Sequence, residues 1–306
     1  MARLPKLIAS SVIRGAQLGE SHGGLYLVDL ERGRAELELD WNRTDIDISG
    51  RGGDRGLRGV ATYGEHLLVA ANSELLLLDQ QFSVIASFTN PYLMHCHEIS
   101  VANGHVFMAS TGFDSVLVFE LAKRRFVHGF HLGVEGEAIK LKRYDPTAAG
   151  PEPSRRFHLN SVRATPAGVW FSGLHTPGLL FTNGRSTSLT APLPRGTHNA
   201  QPYEQGVIYN DTASDRVCYR NGSSVMQMAV PQFERAQILN MDKFESAVAR
   251  PGFARGLCVL GEGLIAGGSS PSTIAVYDLR RGERVLHQNI SMDVRNAIHG
   301  MTVWPF

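Results

Sequence analysis

One short pattern recurs six times along the chain and limits what it can fold into. Written from its first residue it reads RGVATYGEHLLVAA from Arg58, HEISVANGHVFMAS from His97 and NSVRATPAGVWFSG from Asn160. It returns as HNAQPYEQGVIYND from His198, RGLCVLGEGLIAGG from Arg255, and a truncated HGMTV from His299. In the first five copies an apolar triplet starts nine residues on, at Leu67, Val106, Val169, Val207 and Leu264. The sixth runs off the C-terminus, and its missing half stands at the N-terminus. There Lys6-Leu7-Ile8-Ala9-Ser10-Ser11 matches His66-Leu67-Leu68-Val69-Ala70-Ala71. A repeat split across the termini is what a ring closed by both chain ends requires, and internal repeats of this period outrank any local assignment.

Two further apolar segments follow each triplet. Examples are SVLVFEL then FVHGFHL in the third unit and TIAVYDL then ERVLHQNI in the last. With the opening segment this makes four strands per unit of about 50 residues, the size of a propeller blade. The fold expected is all-β: a six-bladed β-propeller in one domain, 1–306, with four antiparallel strands per blade. Its first blade is composite, taking the innermost strand from 299–303 and the others from 6–41. Two long connections, 133–159 and 231–254, are expected to cap the channel mouth, since structureless loops of this length are uncommon unless functional. Residues 233–249 lack Gly and Pro and carry apolar residues every three to four positions, which predicts a short lid helix.

Composition excludes several classes. A formal net charge of +1 gives no electrostatic footprint for nucleic acid or an anionic membrane. No stretch approaches the roughly 20 apolar residues of a spanning helix, and the N-terminal residues lack the apolar core of a secretion signal. Three cysteines, Cys96, Cys218 and Cys258, are odd in number and without CxxC spacing, so a reducing cytoplasm is expected.

The chemistry gathers at the residues that open the repeats. In blade order they read His299, Arg58, His97, Asn160, His198, Arg255. His158 precedes Asn160 by two, but the spacing of eight to Gly168 gives Asn160 the ring position. Histidines on alternate blades are related by approximate threefold symmetry, so His97, His198 and His299 are the expected metal ligands. Three imidazoles with open positions suit zinc, iron or manganese rather than calcium. Arg58 and Arg255 are expected to clamp an anionic small molecule, because a guanidinium holds a carboxylate in bidentate fashion. Asn160 donates and accepts, and would orient a carbonyl. His95 and His158, two residues before ring positions, are expected just above the ring and able to move a proton. Asp211, after a second strand, is the expected carboxylate base. Strand alternation places Glu98 between blades, where it could accept from a ring histidine's second nitrogen. Gly59, Gly256 and Gly300 signal close backbone approach. No nucleotide or flavin is expected.

The repeat as a whole, from RGVATYGEHLLVAA to HGMTV, resembles the six-bladed propeller enzymes. These include gluconolactonases with their paraoxonase relatives, and strictosidine synthases. In these groups ligand or metal sits at the channel mouth on residues opening the inner strands. The resemblance therefore implies the same location here. The gluconolactonase-like Glu/Asn/Asp calcium cluster has no counterpart, since none of the opening residues is a carboxylate. The histidine-with-divalent-metal type is closer to the seven-bladed streptogramin lyases, and the ligand type alone resembles that of the larger carotenoid oxygenases. The expectation is a metal-dependent enzyme of lyase, isomerase, cyclase or hydrolase type acting on an anionic or carbonyl-containing molecule. The alternatives are a metal-free acid/base enzyme of strictosidine-synthase type, or a non-catalytic binding or scaffold propeller.

Overall fold

A computed structural model describes residues 3–49, 53–136, 138–242 and 248–306. Six antiparallel sheets form a ring, each with the strand that carries the opening residue of its repeat innermost. The chain ends close it as the repeat requires. Inner strand Asn296–Val303 pairs with Leu7–Ile13, from Leu7 opposite Val303 to Ile13 opposite Asn296. In several blades the second and third strands read as continuous apolar runs. His66–Ala70, Glu74–Leu78 and Ser115–Glu120 are buried almost throughout because neighbouring blades cover both faces. Outer strands such as Val84–Thr89 face water and are largely exposed.

Blade 3 carries a fifth strand. Arg125–Glu135 turns back into Ala138–Tyr144, which lies at the outer edge of the sheet. The first part of 133–159 is thus a hairpin remote from the mouth, and its lysines and arginine are edge residues. The remainder returns to the channel, where Ser154 bridges Phe113 and its N–H donates to Gly112 O at 2.9 Å. In the second long connection the described residues form a single 3₁₀ turn, Arg235–Gln237, rather than the start of a longer helix. Residues 243–247 of the expected helix lie outside the described residues. Leu239 instead pairs with the blade 1 loop at Asp293, and Ile238 packs with Ala249 and Val294. Among the described residues no helix is long and apolar enough to cross a membrane. All three cysteines are buried and unpaired.

One irregularity recurs where it matters. In the inner strands of blades 1, 3, 4, 5 and 6 the register slips by one residue at or beside the opening position. Cys96 faces Ser110 but Ile99 faces Met108, and His198 faces Asn210 but Gln201 faces Ile208. Each slip inserts an extra residue, a β-bulge, which bends the strand and re-aims side chains. Strict alternation therefore fails at the ring. Glu98 does not tuck between blades but lines the channel below His97. The glycines behave as expected. A Cβ on Gly59 would stand 2.5 Å from Ile99 N and 2.8 Å from Glu98 C, so only glycine lets these inner strands touch.

Candidate functional site

The mouth of the channel is a cavity of about 900 Å³. Its lining includes His95, His97, His158, His299, Arg14, Arg58, Arg155 and Arg255, with Asp47 and Asp54 on the rim. Four guanidinium groups against two carboxylates leave its lining with an excess of positive charge.

The structure selects a different histidine triad from the alternating one. His97, His158 and His198 bring one ring nitrogen each to within 4.8 Å of one another. The residue that spacing removed from the ring is therefore part of the cluster, and His299 is not. His299 is adjacent, with its ring centroid 5.3 Å from that of His97, but its Nε2 accepts from Arg255 Nη1 at 2.7 Å. A nitrogen facing a guanidinium has its lone pair engaged and a positive charge beside it. Asp114 places His158. This buried carboxylate accepts from Phe157 N at 3.1 Å and Leu159 N at 3.2 Å, bracketing the histidine. His158 itself has φ +51, the left-handed region, so its side chain leaves the strand direction and swings over the ring.

Threonines that sequence reasoning passed over fix the tautomers. Thr111 Oγ1 donates to Leu159 O and so accepts from His97 Nδ1 at 2.7 Å; the same Nδ1 faces His95 O at 2.8 Å. Thr212 Oγ1 donates to Ala254 O at 2.6 Å and accepts from His198 Nδ1 at 2.9 Å. Both Nδ1 atoms therefore carry the proton, and both Nε2 lone pairs are left for the channel. His198 is 3 % exposed, and its Nε2 is buried with no hydrogen-bond partner among the described residues. A buried polar atom without a hydrogen bond is uncommon in a folded protein and calls for an explanation. The signal was in the sequence: each threonine stands fourteen residues after its histidine, one position beyond Ser110 and Asp211.

The other expected site residues have settled roles. Both nitrogens of His95 are engaged: Nε2 accepts from Arg155 Nη2 at 2.5 Å and Nδ1 donates to Asn72 Oδ1 at 2.8 Å. It straps the rim rather than offering a free base, and Arg155, though exposed, lines the mouth. Asp211 is absent from the cavity lining; its carboxylate receives Ser214 N at 3.2 Å and closes a turn. Its role as a base falls away for that reason. Glu98 accepts from Asn199 Nδ2, not from a histidine. Asn160, 1 % exposed, donates Nδ2 to Thr197 O at 3.0 Å and leaves a buried Oδ1 without a hydrogen-bond partner among the described residues. Arg58, 5 % exposed, donates one Nη to Gly53 O at 3.3 Å, while its buried Nη1 has no partner among the described residues. Arg255 lies 4.6 Å over the Phe253 ring besides holding His299.

Burial drives the electrostatics. His97, His198 and His299 are held well below the usual imidazole pKa by burial first and by Arg255 next. Burial, then Arg255, takes His158 to about 4; burial, then Arg155, takes His95 to about 4. Burial lowers Arg58 to about 10 and raises Glu98 to about 7, the latter opposed by the Asn199 hydrogen bond. Because each folded imidazole titrates below its unfolded value near 6.5, stability is full above that value. It is lost as pH falls toward 4, where the unfolded chain binds protons that the folded one refuses. In chelator-treated protein, unfolding free energies from urea titrations should fall between pH 7 and 5 with a slope of up to about 1.4 kcal/mol per pH unit for each such histidine. A flat profile across that window would contradict neutral buried imidazoles.

No protein-family model matches the chain, and no curated protein matches it. Solved structures do. A chain of a nidogen/laminin complex superposes with a TM-score of 0.59 at 10 % identity, covering 97 % of both chains. A protein of unknown function from Bacteroides caccae gives 0.52 at 9 % identity, covering 99 % of this chain and all of its own. The chain is a six-bladed β-propeller. At such identities the likeness is one of fold.

Proposed function

We propose that this propeller is a metal-dependent enzyme acting on a small anionic or carbonyl-containing molecule at the channel mouth. The carrying observation is the triad His97, His158 and His198, with Nδ1 protons committed to Thr111 and Thr212 and a buried Nε2 on His198 lacking a partner. Three neutral imidazoles, of which His97 and His158 line the cavity and His198 is buried behind them, suit a divalent ion of the zinc, iron or manganese type. Such an ion would supply Lewis acidity to a substrate oxygen. Arg58 offers an unpaired N–H to the anionic end of the substrate, and Arg255 holds His299 out of the ligand set. The metal-free acid/base reading is weaker. A histidine with a pKa of about 4 is a poor base near neutrality, and His95 and Asp211 are already engaged. Buried unpaired cysteines accord with a reducing compartment.

The reading is tested by titrating metal-free protein with Co²⁺ and then with oxalate as a small carboxylate probe. One equivalent of cobalt should bind, and oxalate should perturb its visible spectrum. Arg58→Met should weaken oxalate by roughly 10–100-fold, the worth of a charge-assisted hydrogen bond. Failure of the protein to bind stoichiometric metal would overturn the proposal.

A further inference from the structure

Beneath the triad the channel is crossed by a hydrogen bond between blades that are not neighbours. Glu98 follows His97 in the inner strand of blade 3, and Asn199 follows His198 in that of blade 5. Blade 4 stands between them, yet Asn199 Nδ2 donates to Glu98 Oε2. The amide has no freedom to turn. Its Oδ1 accepts from Gly256 N at 2.9 Å and from Asn210 Nδ2 at 3.1 Å. A backbone N–H can only donate, so Oδ1 must face Gly256 and Nδ2 must face Glu98. Asn210 Nδ2 also reaches Gly256 O at 3.1 Å, so Asn199 is tied to blade 6 as well. Asn199 sits at φ +53, a conformation that asparagine tolerates better than most residues and that the bulge requires.

Because of the bulges, consecutive side chains point to opposite ends of the channel. His97 lines the mouth, whereas Glu98 and Asn199 line a separate cavity of about 260 Å³ with Arg163. Neither Glu98 nor Asn199 lines the mouth, so neither can touch what binds there. Resting on the metal reading above, we infer that the Glu98–Asn199 pair is a strut that sets the separation of His97 and His198. Both are positioning residues. The strut holds the two strands at the residues next to the ligands, whose ring centroids are 6.3 Å apart. A ring of blades can breathe in diameter, and this bond spans it at the height where a change in diameter would pull the ligands apart.

Co²⁺ is again the probe, read by its dissociation constant and its visible d–d absorption in wild type, Glu98→Gln and Glu98→Met. Gln retains an acceptor for Asn199; Met fills similar space without one. Glu98→Met should weaken Co²⁺ by about 10–100-fold and alter the d–d band, with Glu98→Gln within about threefold of wild type, as expected for an outer partner of a metal ligand. A second route avoids dependence on one variant. Asn199→Asp sets two carboxylates against each other and should weaken binding, and adding Glu98→Gln should restore it. Wild-type-like affinity and spectrum in Glu98→Met overturns the strut while leaving the metal site intact. So does a weakened affinity with an unchanged spectrum that follows lost unfolding stability alone. Absence of cobalt binding by the wild type overturns the metal reading itself, and the strut with it.

Discussion

His158→Ala should reduce Zn²⁺ or Co²⁺ affinity by more than about 100-fold, beyond the roughly 10–100-fold that loss of an outer partner costs. His299→Ala should leave the stoichiometry at one. The two histidines differ in what their nitrogens face. His158 brings a nitrogen to within 4.8 Å of those of His97 and His198. His299 instead presents Nε2 to Arg255 Nη1 at 2.7 Å, and a cation placed there would meet a guanidinium at close range. His299→Ala would remove one partner of Arg255, so its expected effect is on anion binding rather than on metal. Metal content of the purified variants, with circular dichroism to verify folding, separates the two. Loss of metal in His299→Ala with retention in His158→Ala would restore the alternating ring and refute the triad.

Gly300→Ala should destabilise the protein by about 3 kcal/mol or more, the upper range for forcing atoms into a packed interior. A Cβ there would collide with Arg58 O and stand 3.1 Å from both Arg58 C and Gly59 Cα, so the obstacle is backbone on both sides. Gly300 N–H also donates to Ser10 Oγ at 2.9 Å, and Ser10 Oγ donates to Arg58 O. The substitution thus strikes where the N-terminal strand, the C-terminal strand and blade 2 meet. Gly64→Ala is the comparison. At φ +55 it strains a turn but has nothing within 4 Å, and should cost about 1 kcal/mol. Equal losses in urea unfolding would show that close approach at the seam is not the reason for glycine.

The histidine triad shows where local pattern stops being informative. The interval between Asn160 and Gly168 places Asn160 on the inner strand correctly, and Asn160 is indeed buried beside the channel. What spacing could not convey is that the chain just before it is pulled out of strand geometry. That depends on Asp114, more than forty residues earlier, reaching Phe157 N and Leu159 N. The same holds for Glu98. Its assignment between blades followed from alternation, which the inserted residue between Cys96 and Ile99 cancels. Thr111 and Thr212 were legible in principle as a shared offset from His97 and His198, but their purpose appears only when Leu159 and Ala254 of the following blades supply the acceptors.

The sequence by itself determined the number of blades, the composite closing blade, the end of the channel where polar groups converge and the need for glycine between inner strands. These rest on period, on strand propensity and on the absence of a side chain, all properties carried along the chain. The tertiary structure alone decided which three histidines meet, which nitrogen of His97 and of His198 faces its threonine, and which arginine holds His299. Those follow from bulges and from hydrogen bonds between blades, and a bond such as Glu98 to Asn199, 101 residues apart, leaves no trace in any local pattern.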